Sequence, residues 1–118
     1  MAVLGASLII YFGRIGKLSW LREFYGVLVT TPSVARETVD EAKVLGKLGV
    51  SVIEEAFQEG VIHVYSLTGE EEDLAGKIAK LEKIEVEDAQ LIFLAGKLGD
   101  VLVTNDKKLI FWLQGLMV

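Results

Sequence analysis

Three acidic residues set far apart in the chain, Glu37, Asp88 and Asp106, each fall at the end of an element where a carboxylate can face inward. Gly5, where a first strand ends, marks a fourth such place without a carboxylate. Asp88 opens the helical pattern Glu87-Asp88-Ala89-Gln90-Leu91-Ile92-Phe93-Leu94-Ala95, in phase with Leu91, Ile92 and Ala95, so its carboxylate lies on the stripe that faces the core. A lone charge there is costly. Asp106 follows the buried-strand run Val101-Leu102-Val103-Thr104 at its C-terminal end, where open α/β sheets place their ligands. Carboxylates converging on one pocket repel one another and call for a cation, best an oxygen-loving divalent metal.

The composition agrees with such chemistry. The chain has no cysteine and one histidine, so disulfides and thiolate sites are excluded and any metal is held by oxygen. Its net charge of −5 excludes a surface that grips nucleic acid everywhere, though not a local basic patch. Lys107 and Lys108 directly follow Asp106, and Arg14, Lys17 and Arg22 cluster beyond the first strand. At 118 residues the chain is expected to be a single domain, 1–118. The stretch Ala2 to Gly13 falls short of the ~20 apolar residues of a spanning helix. With no basic segment before it, it reads as a strand and helix of a cytoplasmic protein rather than a leader.

Strands alternate with helices throughout. Val3-Leu4 is a first strand, followed by a helix from Leu8 to about Arg14, and Ser19 is placed to cap a second helix that Gly26 ends. Val27–Thr30 is a buried strand, and Thr31-Pro32 supplies a cap and first-turn proline for a helix from Ser33 to about Lys47. In that helix Val34, Thr38, Val44, Leu45 and Leu48 are expected to point inward, with Glu37 in the same sector. Ser51 caps a further helix, Val61–Tyr65 is a strand, and Glu70-Glu71-Glu72-Asp73 starts a helix to about Lys83 with acids at its positive end. After the Asp88 helix and the Val101–Thr104 strand come a helix from about Asp106 and a short edge strand, Leu116-Met117-Val118. The alternation predicts a mainly parallel sheet covered on both faces.

Neither Gly13-Arg14-Ile15-Gly16-Lys17 nor Gly5-Ala6-Ser7 has the spacing of a phosphate loop or a dinucleotide fingerprint. The arrangement instead resembles the PIN-domain family, including the VapC-type toxins. Val3-Leu4-Gly5-Ala6-Ser7 resembles that family's first strand and Asp-x-Ser/Thr turn, and Pro32-Ser33-Val34-Ala35-Arg36-Glu37 its Pro-x-x-Val-x-x-Glu helix start, one residue shorter. Asp88-Ala89 resembles its third acidic motif, and Val101-Leu102-Val103-Thr104-Asn105-Asp106 its strand ending in Thr-x-Asp. The resemblance implies a three-layer α/β/α domain with a mainly parallel sheet of four to five strands. It implies that Glu37, Asp88 and Asp106 hold Mg²⁺ or Mn²⁺ for RNA cleavage, with Ser7, Thr104 and Asn105 as polar neighbours. It also implies a homodimer held by a small antitoxin protein.

One departure stands against this pattern. Where the family has its first Asp, this chain has Gly5, which offers a carbonyl but no charge and leaves three carboxylates of four. Weakened metal binding and turnover are expected. The alternative is therefore a catalytically degenerate module that binds RNA or a protein partner, and a generic small-molecule binder is a third. Taken singly, Asp88 and Asp106 also suit helix starts, and Glu37 a partly solvated helix turn. Glu85 and Glu87 lie near enough to Asp88 to act as reserve ligands, whereas Asp100 begins the strand that Asp106 follows and belongs to the opposite rim. His63 is expected half-exposed in mid-strand. Trp20, Phe24, Tyr25, Phe111 and Trp112 supply apolar surface for self-association.

Overall fold

The computed structural model describes residues 1–98 and 101–103. Among the described residues, four short strands form one parallel sheet: β1 (Ala2–Leu4), β2 (Leu28–Thr30), β3 (Ile62–Val64) and β4 (Val101–Val103), in the order β3-β2-β1-β4. Central β1 is wholly buried, as its unbroken apolar run requires. Ala2 stands opposite Leu28 on one side and Val101 on the other, and Leu4 opposite Val103. From β1 the chain steps outward to β2 and then to β3, before crossing back past the whole sheet to β4. With right-handed crossovers, this reversal of direction puts the helices before β3 on one face and those after it on the other. The reversal falls between β1 and β4, and the crevice beyond their C-terminal ends is where such a sheet binds ligands. Gly5 immediately follows β1 at that point.

Helix α1 (Ala6–Arg14) starts from Gly5 in extended conformation, and α2 (Leu18–Tyr25) ends at Gly26, whose φ of 76° closes the helix in a conformation that suits glycine. Two expected caps are not formed. The N-cap of α2 is Lys17, two residues before Ser19, which lies inside the helix, and that of α5 (Val50–Gln58) is Gly49 in the left-handed conformation, so Ser51 lies inside its helix. Thr31 does cap α3 (Pro32–Ala35), its hydroxyl accepting from the Val34 N–H, with Pro32 in the first turn. Thr68 and Glu71 form a reciprocal capping box at α6 (Gly69–Glu82), so part of the acidic run has a structural task. Glu71 also pairs with Lys97 at 2.8 Å, tying α6 to α7 (Val86–Leu98), and this lysine draws the Glu71 carboxyl below its ordinary pKa.

The helix that begins with α3 does not keep one period. Arg36–Glu41 is a π-helical segment before α4 (Ala42–Val44). Inside it the fully buried Thr38 hydroxyl donates to the Val34 carbonyl at 2.8 Å, an insertion into the backbone ladder of the kind that widens a helix. Val34 and Thr38 face inward as expected, but Glu37, expected in the same sector, is exposed, and Val44, Leu45 and Leu48 are 87%, 68% and 80% exposed. The predicted phase of these last three was carried through the widened segment and past the helix end at Val44. His63 is exposed, and of the apolar candidates for self-association Trp20 and Phe24 are exposed while Tyr25 is half-buried. Phe111, Trp112, the helix from Asp106 and the Leu116–Val118 strand lie outside the described residues. No described helix is long and apolar enough to cross a membrane.

The face carrying α1 and α5 closes through two glycines. A Cβ at Gly49 would stand 2.9 Å from backbone atoms of Gly13 and Arg14, and the φ there is +82°. Backbone cannot swing aside as a side chain can, so Gly49→Ala is expected to destabilise the fold by roughly 1–3 kcal/mol from overpacking, with backbone strain added. Urea denaturation of the two proteins measures this. An unchanged midpoint would show that α1 and α5 do not approach so closely.

Candidate acidic active site

Beyond the C-terminal end of β1 lies an open cavity of about 350 Å³. One wall is the strand end and first turn of α1, with Gly5, Ala6 and Ser7. A second is the α3 helix and its π-helical continuation, with Ser33, Val34, Arg36, Glu37 and Glu41. The third is the turn into α7 and its first residues, Glu85, Glu87, Asp88 and Leu91. Four residues singled out from sequence, Gly5, Ser7, Glu37 and Asp88, thus share one cavity although they span much of the chain. Thr104, Asn105 and Asp106 lie outside the described residues.

Each wall is positioned by local chemistry. The Thr30 hydroxyl, fully buried at the end of β2, donates to the Leu4 carbonyl at 2.8 Å and fastens the strand end that presents Gly5. The Gly5 carbonyl accepts from the Ile9 N–H within α1. Asp88 is half-buried in the first turn of α7, while Leu91 and Ala95 on the same stripe are buried. The Ser33 hydroxyl donates to Gln90 Oε1 at 3.1 Å, joining the helix of Glu37 to the helix of Asp88.

Among the described residues, five carboxylates line this cavity: Glu37, Glu41, Glu85, Glu87 and Asp88. Burial pushes the Glu37 carboxyl above its ordinary value, and the negative charges of Glu41, Glu87 and Glu85 push it further, against a smaller opposing effect of Lys47. Glu85 and Glu87, weighed from sequence mainly as surface charges, therefore act on the site electrostatically. Glu41 and Arg36 were not foreseen. Glu41 lies one helical turn beyond Glu37, a spacing that puts two side chains on one face, and Arg36 adjoins it in the same motif.

The donor chemistry suits a hard divalent cation, since the charged groups offered are carboxylates and a cation would relieve their repulsion. Among the described residues, however, no group of three His, Cys, Asp or Glu side chains is placed to hold a metal. Glu37 and Asp88 are the two described members of the expected ligand set.

A parallel sheet with order β3-β2-β1-β4, helices on both faces and an acidic cavity at its switch point defines a small doubly wound α/β domain. The profile of the DUF3368 PIN-domain family matches residues 1–110, and the chain belongs to that family. Among solved structures it resembles the Mycobacterium tuberculosis toxin VapC20, described as cleaving the sarcin-ricin loop. The two share 18% identity over 90% of this chain and 92% of that one, with a TM-score of 0.65, a likeness of fold. No curated protein matches.

Proposed function

We propose that this PIN domain, spanning 1–118 as one unit, is a divalent-metal-dependent ribonuclease of the toxin–antitoxin kind, weakened by Gly5 at its first ligand position. The observation that carries this reading is the convergence of Gly5, Ser7, Glu37 and Asp88 on one cavity at the sheet's switch point. Glu37 and Asp88, with Asp106, would hold Mg²⁺ or Mn²⁺. When bound, the ion would supply a water of lowered pKa and positive charge opposite the phosphate. Ser7 offers a hydroxyl to ligand or water on the same side, and Thr104 and Asn105 are assigned supporting roles next to Asp106. The fold likeness to a toxin described as cleaving the sarcin-ricin loop supports RNA as the substrate. On this reading the protein works in the cytoplasm as a homodimer under the control of a small antitoxin, with the exposed Trp20 and Phe24 available for association.

The second reading, a catalytically degenerate module that binds RNA or a protein partner, is favoured specifically by Gly5. A Mn²⁺ titration followed by thermal unfolding and by cleavage of single-stranded RNA separates the two. A ligand bound only by the folded state stabilises it by about 1.4 kcal/mol for each tenfold excess over its dissociation constant. The ribonuclease predicts a Mn²⁺-dependent rise in melting temperature together with Mn²⁺-dependent cleavage that EDTA abolishes. Absence of both at millimolar Mn²⁺ would leave the degenerate module as the reading that stands.

A further inference from the structure

A second, smaller cavity of about 170 Å³ adjoins the acidic one, walled by Thr31, Pro32, Ser33, Arg36, Leu67, Glu72 and Gln90. Ser33 and Arg36 line both cavities. Arg36 is the one cationic residue in either described lining. Its Nη2 donates to Ser33 Oγ at 3.4 Å, and Ser33 in turn donates to Gln90, so the guanidinium is tethered at the boundary between the two spaces. A phosphodiester approaching five carboxylates is repelled. An arginine at the rim is the group suited to offset that repulsion, because its planar fork binds phosphate oxygens.

The smaller space suits one ring system. It lies well below the ~300–1,000 Å³ of pockets that enclose whole drug-sized molecules. Pro32 and Leu67 give it apolar surface for the face of a ring, while Gln90 and Glu72 give it a polar edge. A carboxylate only accepts hydrogen bonds, so Glu72 suits a base carrying an exocyclic amine and disfavours uracil, whose single N3–H donor lies between two carbonyl oxygens that a carboxylate repels.

We propose that Arg36 anchors the backbone phosphate next to the scissile one, and that the adjoining cavity takes a single unpaired base with an exocyclic amine, adenine, cytosine or guanine in preference to uracil. The proposal rests on the reading of the acidic cavity as an RNA-cleaving site. It assigns Arg36 a task that the carboxylates cannot perform and makes Glu72 a determinant of specificity.

The test uses short single-stranded 2′-O-methyl oligoribonucleotides of adenosine, cytidine or uridine. Binding to the full chain is followed by fluorescence anisotropy in Mn²⁺ at several salt concentrations. The adenosine and cytidine oligomers are expected to bind several-fold more tightly than the uridine oligomer. Arg36→Gln should weaken all three by about tenfold and lower the salt slope by roughly 0.7, the share of one phosphate contact. Glu72→Gln should narrow the gap between bases without lowering affinity for uridine. Both side chains are exposed, and thermal unfolding of each variant shows that it is folded. Unchanged affinity and salt slope in Arg36→Gln, or no discrimination by the wild type, would overturn the proposal. If the wild type still shows its Mn²⁺ thermal shift in those cases, the acidic-site reading survives alone. If that shift is also missing, both fall.

Discussion

Gly5→Asp is expected to increase Mn²⁺-dependent cleavage of single-stranded RNA, and the affinity for Mn²⁺, by at least about tenfold. Losing a partner that merely orients a ligand costs about 10–100-fold in such sites, and position 5 would supply a ligand itself. The backbone permits the change, since Gly5 has φ −82° and ψ 162°, an extended conformation open to any residue. Two effects on the metal-free protein oppose one another. The new carboxylate stands at the N-cap of α1, a helix with no acid in its first turn, where capping gains a few tenths of a kcal/mol over glycine. It also enters a buried position beside a cavity that five carboxylates already line. Repulsion and burial should prevail, so the variant melts below the wild type in EDTA and above it in saturating Mn²⁺. Asp88→Asn in the same background should remove the gain. A variant whose cleavage and Mn²⁺ response match the wild type would show that position 5 is not the vacant ligand seat.

The fold was legible because its signals are short-range. Val3-Leu4, Leu28-Val29-Thr30 and Val101-Leu102-Val103 are apolar runs of a length that suits buried strands, and each is a strand of the parallel sheet. Asp88 could be read because α7 is a regular helix, so its phase with Leu91 and Ala95 survives into the structure. Apart from the exposed Glu37, the helix from Pro32 onward was read correctly only as far as Thr38. Beyond it the π-helical segment breaks the assumption of a constant 3.6-residue period, and Val44, Leu45 and Leu48 turn to solvent. The full acidity of the site was legible only in part: Glu85 and Glu87 could be read as reserve ligands beside Asp88, but Glu41 was not foreseen. Glu41 lies one turn beyond Glu37 in the same π-helical segment, whereas Glu85, just before α7, and Glu87, in its first turn, reach Glu37 only through the packing of those elements. Arg36 escaped for the same reason: a lone arginine beside a glutamate is ordinary until two cavities are seen to meet at it.

Glu37→Gln is expected to stabilise the metal-free protein at neutral pH while lowering its Mn²⁺ affinity by at least about tenfold. The folded-state pKa of Glu37 is raised above 4.5 by burial and then by Glu41, Glu87 and Glu85. The folded protein therefore holds this proton more tightly than the unfolded chain. Stability falls as pH rises from 4.5 through the raised folded value, and the cost of the ionised carboxylate is fully present above it. Below 4.5 the group is protonated in both states and costs nothing. The advantage of the glutamine variant should thus be absent in acid, grow across that window and persist at neutral pH. Saturating Mn²⁺ should reverse the order, because a cation that relieves the repulsion in the wild type has lost a ligand in the variant. Metal binding to the wild type should also release protons and weaken as pH falls toward the same window. Thermal unfolding of both proteins across pH, in EDTA and in Mn²⁺, measures each limb. An ordinary surface glutamate predicts neither limb: a variant as stable as the wild type at every pH, with an undiminished Mn²⁺ response, would remove Glu37 from the site.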